Sequence, residues 1–158
     1  MTRPITYARL RNIALFYLER YDASSGKLID TLKRRVQKTK LQGLEIPKET
    51  NEWIQKIVQE CQNLGYVDDK RYAENQVRIL SRQGKSARFI VQKLSAAKID
   101  TDLIQSLLDP DDDLERAKTF VQKKHLGRDY QKDLAKLARA GFSYEIAKQA
   151  LHMEDIDV

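Results

Sequence analysis

Few residues in this chain have the type and spacing for covalent chemistry. His125 and His152 are its only histidines. Neither has a patterned nucleophile beside it, and each reads as a surface histidine near a helix end. Cys61 shares a helical face with Trp53, Ile57 and Leu64, which points to packing rather than a reactive thiol. A single cysteine leaves no internal disulfide and no cysteine pair for zinc. Gly84-Lys85-Ser86 resembles the end of a phosphate loop, but the earlier glycine that such a loop requires is missing. Asp109-Pro110-Asp111-Asp112-Asp113 lacks the glycine of a calcium loop, and Phe120 stands where the terminal carboxylate would ligate. These carboxylates suit the positive end of a following helix instead. No catalytic centre, metal site or cofactor is expected, and the chain does not read as an enzyme.

What remains is positive charge. The 158 residues carry 29 Lys and Arg against 23 Asp and Glu, a net charge of +6. Residues 1–64 hold 12 basic and 7 acidic side chains, residues 65–108 hold 8 and 5, and residues 109–158 hold 9 and 11. The positive field therefore sits in the first two-thirds and suits an anionic partner. Arg71, Arg78 and Arg82 are spaced so that a helix brings them within about 40° of one another, away from Ala73, Val77 and Leu80. Lys27, Arg34 and Lys38 repeat that spacing, and Lys85 and Arg88 lie just beyond Arg82. Lys132, Lys136 and Arg139 form a further row opposite Leu134 and Leu137. Rows of cations at one-turn intervals follow a phosphate chain or an acidic protein groove. Tyr7, Tyr17, Tyr21, Tyr66 and Tyr72 offer rings for stacking on bases, although the inward ones belong to the core.

Helices must position these rows. Leu10, Ala14, Tyr17, Leu18 and Tyr21 recur at steps of three and four, giving one inward face. After a break at 22–26, where Ser24 or Ser25 caps the next helix, Leu28, Ile29, Leu32 and Val36 form another. A third face joins Trp53, Ile54, Ile57, Val58, Cys61 and Leu64, with Gly65 at a left-handed helix end. Asp68 and Asp69 cap a helix from near Lys70 to Ser81. Ser86 caps one carrying Ala87, Ile90, Val91, Leu94 and Ala97, and Asp100 caps a short one with Leu103, Ile104, Leu107 and Leu108. Beyond the acidic linker come faces with Ala117, Phe120 and Val121, with Leu134, Leu137 and Ala138, and with Ile146, Ala147, Ala150 and Leu151. Residues 154–158 are expected to fray. No apolar run is long enough to span a membrane.

The breaks recur. Residues 94–100 align without gaps on residues 137–143, and Ile104 and Leu108 then fall on Ala147 and Leu151. A looser first copy matches Ala14, Ser24, Leu28 and Leu32 with Ala73, Ser86, Ile90 and Leu94. The expected fold is all-α: three tandem three-helix-bundle repeats over residues 1–64, 65–108 and 109–158, forming an elongated, curved helical array.

Gly65-Tyr66-Val67-Asp68-Asp69-Lys70-Arg71-Tyr72-Ala73 resembles the signature of the RecX family. Arg78, Gly84-Lys85, the Ile90/Leu94 helix and Lys98-Ile99 continue the likeness, and Arg139-Ala140-Gly141-Phe142-Ser143 resembles that family's closing motif. Two departures are mild: Tyr72 stands where phenylalanine is usual, and Lys98 occupies a turn where glycine is expected before Ile99. The resemblance implies a non-catalytic, cytoplasmic bacterial regulator of the RecA recombinase. It implies binding along the groove of the RecA–single-stranded DNA filament, with lowered ATP hydrolysis and strand exchange. Single-stranded and double-stranded DNA are further expected partners, and the chain is expected to act as a monomer. Combined with the charge pattern, it selects Arg71, Arg78, Arg82, Lys85 and Arg88 as the central contact, extended by Lys27, Arg34 and Lys38. The rival reading is a helical DNA-binding module or transcriptional regulator without a recombinase target. It lacks a clear recognition helix, because the basic residues are spread over several helices.

Overall fold

A computed structural model of the chain describes residues 2–154. Among them are nine α-helices and no strand. They are α1 (Tyr7–Arg20), α2 (Ser25–Leu41), α3 (Thr50–Asn63), α4 (Asp69–Arg82), α5 (Ala87–Ala96), α6 (Thr101–Leu107), α7 (Asp113–Lys123), α8 (Tyr130–Arg139) and α9 (Tyr144–Glu154). A single 3₁₀ turn, Pro110–Asp112, precedes α7. Of the residues expected to fray, Glu154 ends α9 and 155–158 lie outside the described residues.

The chain divides into two compact units, one ending at Tyr72 and the other starting at Ala73. In the first, the three- and four-residue spacing of α1, α2 and α3 buries Leu10, Ala14, Leu28, Leu32, Ile54, Ile57 and Cys61 in one core. In the second, Ala117, Val121, Leu137, Phe142, Ala147, Ala150 and Leu151 pack together. Leu80, Ile90, Leu94, Ile99 and Ile104 are buried there as well. Four expected inward positions turn outward, among them Val91 on α5, where Ile90 and Leu94 alone fill the buried face of the helix. Tyr21 and Leu64 are the residues that end α1 and α3, where the backbone leaves the helix, and they are 58% and 53% exposed. Ala138 is exposed on the last turn of α8, where Leu137 alone fills the inward position.

Helix starts follow one rule twice. Ser24 accepts from the Lys27 N–H and Ser86 from the Phe89 N–H, each at 3.1 Å, so each serine caps the helix it precedes. The neighbouring free N–H groups are met by a carboxylate distant in sequence. Asp69 accepts from the Ser25 N–H and from its hydroxyl, both at 2.7 Å, and Asp113 accepts from the Ala87 N–H at 2.8 Å. This corrects the expectation that Asp69 caps its own helix: Asp68 does so alone, accepting from the Arg71 N–H. Asp113, in turn, is held by the buried Arg116 guanidinium at 3.2 Å, which also donates to the Ser81 hydroxyl.

Helix ends also repeat. Leu94 and Leu137, aligned in the sequence repeat, each accept a bond at 3.1 Å from the N–H five residues on, that of Ile99 and of Phe142. Such an ending needs a left-handed residue just before the donor. Gly141 supplies it at φ 100°, and Lys98 adopts it at φ 64° in spite of its side chain. Gly84 ends α4 in the same way under tighter constraint, since an added Cβ would lie 2.6 Å from the Phe120 backbone nitrogen.

Three outcomes test these local arguments. Gly65 has open space around its Cβ direction, so G65A should cost only the left-handed penalty, about 1–2 kcal/mol. G84A should cost about 1–3 kcal/mol more, because the backbone of α7 cannot retreat as a side chain can; urea melts of both variants measure the gap. K98G should stabilise by about 1 kcal/mol, read as a midpoint rise of roughly 2–4 °C in a thermal melt. Arg11 on α1 donates to Glu60 on α3 at 2.7 Å and holds that carboxyl below its ordinary value through the hydrogen bond. A depressed carboxyl stabilises the fold above the ordinary carboxylate range and stops doing so as pH falls through its lowered value. E60Q should therefore be less stable than the parent at neutral pH and equal to it in acid.

Candidate polyanion-binding surface

Each cation selected from the sequence sits on a helix or at the entry to one. In the first compact unit, Lys27, Arg34 and Lys38 lie along α2, and Arg71 lies in the first turn of α4. In the second, Arg78 and Arg82 continue α4, Lys85 is in the turn that follows, and Arg88 is in the first turn of α5. Arg34, Lys38, Arg71, Arg78, Arg82 and Arg88 are exposed, and Lys27 and Lys85 are half-buried.

The partners of these side chains decide what they can do. Arg71 donates to the Gly65 carbonyl at 3.1 Å, Arg78 to the Asn75 amide oxygen at 2.6 Å, and Arg34 to the Asp30 carbonyl at 3.4 Å. The Lys27 ammonium lies 5.4 Å from the centre of the buried Tyr72 ring, and the Lys85 ammonium 4.9 Å from that of Phe89. Every one of these partners is neutral. They orient the cations without cancelling their charge, leaving the field available to an anion. Among the described residues, ion pairs form elsewhere: Arg11 with Glu60, Arg116 with Asp113, Lys118 with Glu115, and Lys132 with Asp129. The last of these draws Lys132 out of the third basic row and fits the acidic surplus of residues 109–158.

Other expected groups fall into place differently. Tyr72 is buried, Tyr7 packs edge-on against Trp53 at 6.4 Å, and Tyr17 lies 5.2 Å from Tyr21. Only Tyr21 and Tyr66 of the five tyrosines present exposed rings. Cys61 is buried, which pushes its thiol up and keeps it protonated and unreactive. His125 follows α7 at φ 53° and His152 lies in the last turn of α9, both exposed. Sequence spacing missed one convergence. Arg139 at the end of α8 shares a cleft of about 320 Å³ with Arg88, Gln92 and Gly141. The two arginines belong to rows far apart in sequence, and the fold brings them together where Ser86, just before α5, bonds to the Ala140 carbonyl just after α8.

Comparison with known proteins adds to this geometry. Residues 68–108 match the family model described as "RecX, second three-helix domain". The chain is 32% identical to the regulatory protein RecX of Myxococcus xanthus (strain DK1622), over 94% of this chain and 87% of that one. It is 38% identical to the regulatory protein RecX of Legionella pneumophila (strain Corby), over 63% of this chain and 59% of that one. The fold is similar to the crystal structure of RecX from Lactobacillus salivarius, with a TM-score of 0.69 at 24% identity, covering 95% of this chain and 97% of that one. Among the described residues no helix is long and apolar enough to cross a membrane. Sequence signature, helical architecture and full-length similarity together place this chain in the RecX family of regulatory proteins.

Proposed function

We propose that this chain regulates the RecA recombinase by lying on the RecA–single-stranded DNA filament, through basic side chains that no carboxylate neutralises. In the second compact unit the contact is made by Arg78, Arg82, Lys85 and Arg88. In the first it is made by Arg71, with Lys27, Arg34 and Lys38 extending it. The observation that carries the reading is that Arg34, Arg71 and Arg78 are held by carbonyl or amide oxygens, and Lys27 and Lys85 by aromatic rings. A cation in such company keeps its attraction for phosphate or for an acidic protein surface. The chain works as a cytoplasmic monomer of three tandem three-helix units, over residues 1–64, 65–108 and 109–158. Occupying the filament lowers ATP hydrolysis and strand exchange, and the regulator needs no catalytic group of its own. DNA, single-stranded or duplex, is a secondary partner.

Titrating the chain into purified recombinase on single-stranded DNA, and following ATP hydrolysis, tests this. The parent should suppress hydrolysis, and more weakly at about 200 mM than at about 50 mM salt, because each phosphate neutralised releases counterions. R78E/R82E should abolish suppression while the helical circular-dichroism signal stays intact, since both side chains are exposed and lack structural partners in the core. Unchanged suppression by that variant would reject this face as the contact. Tight binding to duplex DNA with base preference, and no effect on hydrolysis, would favour the regulator without a recombinase target.

A further inference from the structure

A groove of about 710 Å³ in the first compact unit uses none of the eight cations discussed above. Arg3, Arg9, Asn12, Phe16 and Arg35 line it. Arg9, Asn12 and Phe16 recur at three- and four-residue steps along α1, so one helical stripe forms its floor. The Arg9 guanidinium donates to the carbonyls of Arg3 and Pro4, which fastens the segment before α1 along the rim. Among the described residues, Arg3, Arg9 and Arg35 have no carboxylate at ion-pairing distance. Phe16 is 56% exposed, an uncommon setting for a phenyl ring, and the Arg20 guanidinium lies 4.4 Å from its centre. That guanidinium sits over one face of the ring and holds its position, and the rest of the half-exposed side chain meets solvent.

We infer that this groove is a second nucleic-acid site, which takes single-stranded nucleic acid by stacking an unpaired base on Phe16 while Arg3, Arg9 and Arg35 hold the adjoining phosphates. Three unneutralised guanidinium groups around an open aromatic ring match the alternation of charge and flat apolar surface along a nucleotide chain. Duplex DNA hides its base faces and has no use for Phe16. An acidic peptide would use the arginines and leave the ring idle. The site stands whether or not the recombinase is the partner of the eight cations, because it requires only free strand.

Fluorescence anisotropy with a labelled oligothymidylate of about 15 nucleotides, without recombinase, tests the site. F16A should weaken binding about tenfold, F16W should restore it, and R35E should weaken it at least as much as F16A. Phe16 and Arg35 are exposed, so circular dichroism should be unchanged in all three variants. The Phe16 dependence should persist in R78E/R82E, which separates this site from the proposed filament contact. Equal binding by F16A and the parent would overturn the inference. So would competition in R78E/R82E by unlabelled duplex, or by polyglutamate, as effective as competition by unlabelled strand.

Discussion

Buried helix starts impose the constraint on which the rest of this structure depends. A helix leaves its first N–H groups without partners, and burying them unmet costs roughly 1–3 kcal/mol each. Here Ser24 and Ser86 satisfy one group apiece, and Asp69 and Asp113 reach from the first residues of later helices to satisfy the next. The carboxylates do more than cap. Each ties the start of a helix to the start of another, distant in sequence, and so fixes a crossing that apolar packing alone would leave free to slide. Ser86 adds a second tie by donating to the Ala140 carbonyl at 2.8 Å, in the space that Gly141 leaves by having no side chain.

This use of carboxylates bears directly on the cations. Asp69, Asp113 and Asp133 spend their charge on backbone N–H groups or on the buried Arg116. Acidic groups committed to the frame are withdrawn from the surface cations that would otherwise pair with them. Arg71, Arg78 and Arg34 are held by neutral oxygens, and Lys27 and Lys85 by aromatic rings. Orientation without neutralisation is what a polyanion-binding surface needs. Flexible lysines and arginines are positioned before the partner arrives, so less side-chain freedom is lost on binding.

Much of this was legible in the sequence, and what was hidden has a physical explanation. Local signals read well. The apolar periodicity placed the helices, the serines marked α2 and α5, and the gap-free repeat aligned Leu94 with Leu137, which accept equivalent bonds in the structure. Lys98 shows that the repeat outweighs residue preference, for it takes the left-handed conformation that glycine takes at Gly141. Long-range polar contacts left no trace. Nothing in the order of residues says that Asp69 faces Ser25, that Arg116 is buried, or that Arg88 and Arg139 share a cleft. Those outcomes depend on helix crossings, which spacing along one helix does not encode. Phe16 escaped notice for a simpler reason: it lies off the apolar stripe of α1, where sequence patterning registers only a stray hydrophobic residue.

The central claim is that the open basic face of α4 and the turn after it rest against the recombinase filament. The most direct measurement places a photo-activated cross-linking residue at Arg82, and a second at exposed Gln62 on α3 as a control, in chains bound to filaments assembled on single-stranded DNA. Adducts to recombinase or DNA from position 82, with none from position 62, are the result this account predicts. Adducts from position 62 with none from position 82 would contradict it.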